Sequence, residues 1–126
     1  LQKPHALACI GIYAADTEAE ARRLFTSIQQ QFIALRRGSP GPLPPPREMH
    51  GFWSPQEQAM VDHSLMYSMV GTRDTVRRRI AEFLDRTKVD ELMIAAQIHD
   101  HASRLRSYEI TAEVRDALGQ AARKAG

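Results

Sequence analysis

Two histidines flank an aspartate in "AQIHDHASRLRSYEI" (96–110), where an apolar run gives way to an amphipathic one. Imidazole and carboxylate groups in this order can bind a metal, pass a proton, or cap a helix. A metal site needs three or four convergent ligands. The side chains of His99, Asp100 and His101 diverge if the strand continues, and neither an HExxH spacing nor a second His/Cys cluster supports them, so no metal site is expected. In the capping reading, Asp100 accepts N–H groups of the following helix and the histidines are polar loop residues. In the third reading the segment lines a pocket. His99 is then the candidate catalytic residue, Gln97 shares its strand parity, and His101 joins them in binding.

Other chemistry-bearing positions are sparser. Gly71-Thr72 precedes "RDTV", so Thr72 either N-caps a helix or belongs to an anion site built from that helix's N–H groups. Asp16-Thr17 carries the same two readings. Tyr67 enters a short apolar run and is a further candidate for lining a site. Ser103, Ser107 and His101 fall on one helix with no oxyanion-hole motif beside them, which argues against a serine hydrolase.

These residues hang on alternating strands and helices. "LACIGIY" (7–13), after Pro4, is a continuous apolar run of the kind buried on both faces of a parallel sheet. Thr17 with Glu20 forms a capping-box pattern, and Ala21, Leu24, Phe25, Ile28, Phe32 and Leu35 make one helical stripe up to the stop signal at Gly38. Residues 38–46, "GSPGPLPPP", hold five of the seven prolines and form a stiff connector. Ser54, Pro55 and Glu57 open the next helix, with Trp53 placed as a staple. "MYSMVGT" (66–72) is a short strand, followed by a helix with Val76, Ile80, Phe83 and Leu84 buried. "VDELMIAAQI" supplies a last strand, and the final helix carries Leu105, Tyr108, Ala112 and Leu118. The methionines fall mostly on these apolar segments as core material. The fold class is α/β with parallel βα units.

The chain's 126 residues make one domain, 1–126, with ordinary hydrophobic (43%) and charged (25%) fractions and a net charge of +2. Its arginine clusters at 22–23, 36–37 and 77–79 lie on separate helices without aromatic interleaving, so no nucleic-acid surface is expected. The single Cys9 sits in an apolar run and reads as a small buried hydrophobe in a reducing, cytoplasmic compartment. No apolar stretch reaches the length of a membrane span.

Three strands leave a thin sheet with two open edges, and the chain begins with Leu1, so it reads as a section of something larger. "IYAADTEAEARRLFTSIQQQFIALRRGSPGPLPPP" and "FWSPQEQAMVDHSLMYSMVGTRDTVRRRIAEFLDRTKVDELMIAAQIHDHASRLRSYEI" resemble the C-terminal part of the luciferase-like flavin-dependent monooxygenases. The resemblance implies the last three strands and helices of an incomplete (β/α)8 TIM barrel, with "LACIGIY" sixth, "SMV" seventh and "LMIAAQI" eighth. It places "AQIHDH" at the barrel mouth, where such barrels do their chemistry. It further implies FMN or a deazaflavin as cofactor, O2 and a small organic substrate as reactants, and a flavin reductase acting in trans. A section of this kind is expected to be inactive alone and to associate as a homo-oligomer through its open edges. The competing expectation is a non-enzymatic α/β module that dimerises through its sheet edge and binds a ligand or partner.

Overall fold

A computed structural model describes residues 6–89 and 91–125, with side chains as far as residue 118. Pro4 and Asp90, which the strand assignments touch, lie outside the described residues. Strand β1 (Leu7–Ala14) leads into helix α1 (Glu18–Arg36). An irregular connector then reaches α2 (Pro55–Ser64), followed by β2 (Met69–Gly71), α3 (Arg73–Thr87), β3 (Glu91–Ala95) and α4 (His101–Ala125).

The local signals form as their chemistry requires. The Thr17 hydroxyl accepts the Glu20 N–H at 3.1 Å and starts α1, although Glu20 turns to Arg23 instead of closing the box. Ser54 and Glu57 make the complete box around Pro55. Gly38 takes a φ of +78° and lets the chain leave α1, with Ser39 N–H returning to the Ala34 carbonyl. The connector is pinned along α1: Gln30 donates to the Pro45 carbonyl at 2.8 Å, and Arg47 N–H donates to the Thr26 hydroxyl. Trp53 packs with Ile33, Met49 and Val61 in the small core between α1, α2 and the connector.

All pairing is parallel, and the strand order is β2-β1-β3. This differs from three successive barrel strands, among which β2 would stand in the middle. β1 takes that place because only its eight residues are long enough for both partners. Leu7–Gly11 pair with β3, and Ile12–Ala14 pair with β2. Parallel crossovers are right-handed, so moving out to β2 and back past β1 to β3 puts the connecting helices on opposite faces. Side-chain alternation bears this out. Ile10, Ile12, Ala14 and Met69 pack with Val76, Ile80, Phe83, Ile110 and Val114 of α3 and α4. Tyr13 and Val70 pack with Ala21, Leu24 and Ile28 of α1.

Four expectations need correction. Cys9 is exposed, not buried, because α1 covers only the C-terminal end of its face of β1. The last strand stops at Ala95, so Gln97 and His99 lie beyond it. Helix α4 buries Ser107, Ile110 and Val114, whereas Leu105 and Tyr108 face outward. Of the methionines, Met49 and Met69 are core while Met66 and Met93 are exposed. Among the described residues, no helix is long and apolar enough to cross a membrane.

Candidate functional site

The carboxyl ends of the strands and the N-termini of α1, α3 and α4 meet at one end of the sheet, where open α/β sheets bind their ligands. Each of these helix ends exposes N–H groups that demand an acceptor.

At α1 and α4 a nearby side chain accepts one of these N–H groups. Thr17 caps α1. At α3, Thr72 occupies the cap position but makes no side-chain cap bond. The carboxylate of Glu18 binds the cap residue itself and the first turn's hydroxyl. Its Oε1 accepts the Thr72 N–H at 3.3 Å, the Thr72 hydroxyl at 3.2 Å and the Thr75 hydroxyl. These bonds, Thr75's first, hold the Glu18 pKa below its ordinary value, with the Arg22 charge adding to them. Gly71 permits the approach. At its φ of +156°, a Cβ would stand 2.7 Å from both Glu18 Oε2 and Thr75 Cγ2. Asp100 caps α4, accepting the Ser103 N–H and hydroxyl, each at 2.9 Å. The Ser103 bonds lower its pKa, and the neighbouring histidines contribute less.

β3 ends at Ala95 while β1 runs on to Ala14, so a gap opens between them. Three hydroxyls fill it. Ser107, buried on α4, accepts the Ala14 N–H at 3.0 Å and donates to the Ile12 carbonyl at 3.2 Å. It thus takes the place of the missing strand residue. The Ala96 N–H donates to the Tyr108 hydroxyl at 3.1 Å, and the Tyr13 hydroxyl makes a backbone bond with Gln97. Burial pushes the Tyr13 pKa up, partly offset by that bond, and Tyr108 adds to the rise.

Beside the gap, Arg106 donates to Asp16 at 2.9 and 3.2 Å and to Glu109 at 3.1 Å. Arg73 pairs with Glu113 at 3.0 Å. Asp16 and Arg106 together line two clefts of about 260 and 230 Å³, one toward Thr17 and Ser103, the other toward Thr72 and Arg73.

Of the residues singled out from sequence, Gln97, His99 and His101 all come to this end, exposed. His101 Nδ1 lies 2.8 Å from an Arg104 guanidinium nitrogen. Arg only donates, so Nδ1 is the acceptor in this contact. Thr72 is present too, with its hydroxyl committed to Glu18. Tyr67 is not. It is exposed in the turn before β2, at the opposite end of that strand, because only Met69–Gly71 pair with β1. Among the described residues, no group of three or more His, Cys, Asp or Glu side chains could hold a metal ion. Sequence reading missed Glu18, Ser107, Arg106 and the Tyr13–Tyr108 pair in these roles.

Flavin chemistry can be tested against this arrangement. Gln97 and His99, exposed beside the buried strand ends at Ala15 and Ala96, are the side chains open to a planar ring here. The phosphate does not fit. Side chains cap α1 and α4, the Glu18 carboxylate occupies the start of α3, and Arg23, Arg104 and Arg106 are bound to Glu20, to His101 and to Asp16.

The fold and site define a parallel α/β protein with a candidate ligand wall at its strand ends. Known proteins make the likeness particular. The chain is 47% identical over 119 residues to a luciferase-like monooxygenase of Escherichia coli strain K12, covering 94% of this chain and 36% of that protein. It is 42% identical over 115 residues to the uncharacterised protein YvbT of Bacillus subtilis, covering 90% and 34%. The crystal structure of apo-MsnO8 matches with a TM-score of 0.71 and 26% identity, over 90% of this chain and 35% of that one. No family model matches. The chain spans about a third of the length of the curated relatives it matches, and over that span it is the counterpart of part of a luciferase-like protein.

Proposed function

We propose that this chain is the C-terminal section of a luciferase-like flavin-dependent monooxygenase, an enzyme that oxidises a small organic substrate with reduced flavin and O2. The observation that carries this reading is the 47% identity to a luciferase-like monooxygenase across nearly the whole chain. The section contributes a wall of the ligand site. Gln97 and His99 offer hydrogen bonds to a ring edge, and the apolar strand ends exclude water from it. FMN, or a deazaflavin in its place, supplies the redox chemistry when bound. Its phosphate falls to residues outside this chain, so the section alone is inactive.

The test is a graft of these 126 residues into the Escherichia coli relative in place of its matched third. The folded graft should bind FMN or a deazaflavin and consume O2 when that cofactor is reduced, whereas the isolated chain should do neither. A folded graft that binds neither cofactor sinks the reading.

A second reading draws on the β2-β1-β3 order with helices on both faces. That arrangement suits a self-standing module that binds a ligand in its strand-end clefts. Saturable ligand binding by the isolated chain, with none by the graft, would favour it.

A further inference from the structure

Helix α1 packs on the sheet through Ala21, Leu24 and Ile28, which leaves its opposite side to the connector. The connector is fixed there at two points, where Gln30 donates to the Pro45 carbonyl and the Arg47 N–H donates to the Thr26 hydroxyl. Between it and the first half of α1 lies a cleft of about 550 Å³, a size that suits a small molecule. Ala19, Phe25, Pro46 and Met49 form its apolar wall. Phe25 stands edge-on to Tyr13, with ring centroids 4.9 Å apart, and Met49 is anchored in the core beside Ile33 and Val61, so that wall is preformed.

Three guanidiniums, of Arg22, Arg23 and Arg47, line the same cleft, and they are not equivalent. Arg23 is matched by Glu20 through bonds of 2.9 and 2.7 Å. Arg22 makes no hydrogen bond or ion pair among the described residues, and its charge is felt only as a Coulomb effect on Glu18. Arg47 lies on the Phe52 ring, 4.1 Å from its centroid, and its Nε donates to the Glu48 carbonyl at 3.3 Å. Both of its terminal nitrogens are without a partner among the described residues. A guanidinium stacked on a ring is held in place and presents a planar fork that matches a carboxylate. Glu48 lines the cleft too, with one carboxylate oxygen on the His50 N–H. Arg22 and Arg47 set against Glu48 leave a single positive charge.

We propose that this cleft binds a small organic carboxylate, its anionic head held by Arg22 and Arg47 and its apolar body laid against Phe25 and Met49. A singly charged acid answers both features of the site, the one unmatched positive charge and the apolar wall, whereas an inorganic anion answers only the first. The guanidinium–carboxylate pair supplies the specificity, since charge-assisted bonds are roughly twice as strong as neutral ones. The cleft is built wholly from residues 19–49, on the side of α1 away from the sheet. It is therefore separate from the wall at the strand ends and independent of the flavin reading.

The test titrates octanoate into the isolated chain and into the Escherichia coli graft by calorimetry, with amide NMR shifts recorded for the chain. Both proteins should show one saturable site, and the shifts should concentrate at Thr26, Gln29 and Met49. Acetate, which lacks the body, and 1-octanol, which lacks the charge, should each bind about tenfold more weakly, as the loss of one half of the contact requires. Arg22→Gln and Arg47→Gln should each weaken octanoate about tenfold, and Ala19→Glu should abolish its binding. Ala19 and Arg22 are exposed on α1 and hold no part of the connector, so their variants report on the ligand alone. Absence of saturable binding in both proteins overturns the proposal, as do variants that bind octanoate unchanged. Octanol binding as tightly as octanoate removes the role of the arginines and overturns it too. Acetate or inorganic phosphate matching octanoate marks an adventitious ion only. Binding by the chain but not by the folded graft means that the longer protein covers the cleft, and displacement of octanoate by FMN merges it with the flavin site; either result overturns the proposal.

Discussion

The hydroxyl of Ser107 accepts the backbone N–H of Ala14 at 3.0 Å across 93 residues of sequence. One side chain on α4 thereby completes the hydrogen bonding of β1 where β3 has turned away. Ser107→Ala leaves the Ala14 N–H and the Ile12 carbonyl buried without partners, a loss of about 1–3 kcal/mol for an unsatisfied buried group. Urea unfolding should read that loss, and exchange of the Ala14 amide should accelerate more than that of its neighbours in β1. An unchanged midpoint would mean that water replaces the hydroxyl.

Glu18 bridges α1 to the start of α3, and its depressed pKa sets a direction with pH. The unfolded carboxyl titrates near 4.5, and the folded one lies lower. Its contribution is therefore complete above the unfolded value and is lost as pH falls through the folded one. Glu18→Gln should flatten that part of the acid unfolding curve and lower the neutral-pH melting temperature by a few degrees, about the effect expected of a lost helix cap. Acid curves that superimpose for the two proteins would remove Glu18 as a stabilising bridge.

What could be read in advance divides by distance along the chain. Thr17, Gly38, Ser54 and Asp100 act on groups within a few residues, so type and spacing were enough to assign them. Glu18 reaches Thr72 only because β1 and β2 pair side by side, a relationship 54 residues long that no local pattern carries. The face of α4 was misread because Leu105, Tyr108 and Ala112 form as good an apolar stripe as Ile110 and Val114 do. A serine at the head of the true one disguised it. Strand order depended on the relative lengths of β1 and its partners. The exposure of Cys9 depended on how far α1 extends over its face of β1. His99 was placed at the correct end of the sheet, since any strand followed by a helix delivers its last residues there.

Arg37 and Glu57 tie the two ends of the connector together. Arg37 makes two bonds of 2.7 and 2.8 Å to the carboxylate and a third to the Phe52 carbonyl, and the Phe52 ring lies against both Arg37 and Arg47. The Arg37 bonds lead in drawing the Glu57 pKa down to about 2. The tie should hold at neutral pH and weaken only as pH falls below the ordinary 4.5 toward 2. Carboxyl NMR titration should place the Glu57 midpoint near the lower value in the native chain and close to the ordinary one in Arg37→Ala. That variant should also be cleaved faster within residues 38–54 by limited proteolysis.

Tyr108 has a double role, and the two can be separated. Its ring belongs to the outward stripe of α4, while its hydroxyl receives the Ala96 N–H just before Gln97 and His99. Tyr108→Phe keeps the apolar surface and removes the acceptor, so in the isolated chain the Ala96 amide should exchange about fivefold faster, as a loss of about 1 kcal/mol requires. In the graft, the same change should weaken flavin binding about three- to tenfold by loosening the segment that presents Gln97 and His99. His101→Ala should leave flavin binding within about twofold, because its ring is turned to Arg104. If Tyr108→Phe releases Ala96 without altering flavin affinity, residues 96–99 do not touch the ring. The wall must then be built from the ends of β1 and β2 alone.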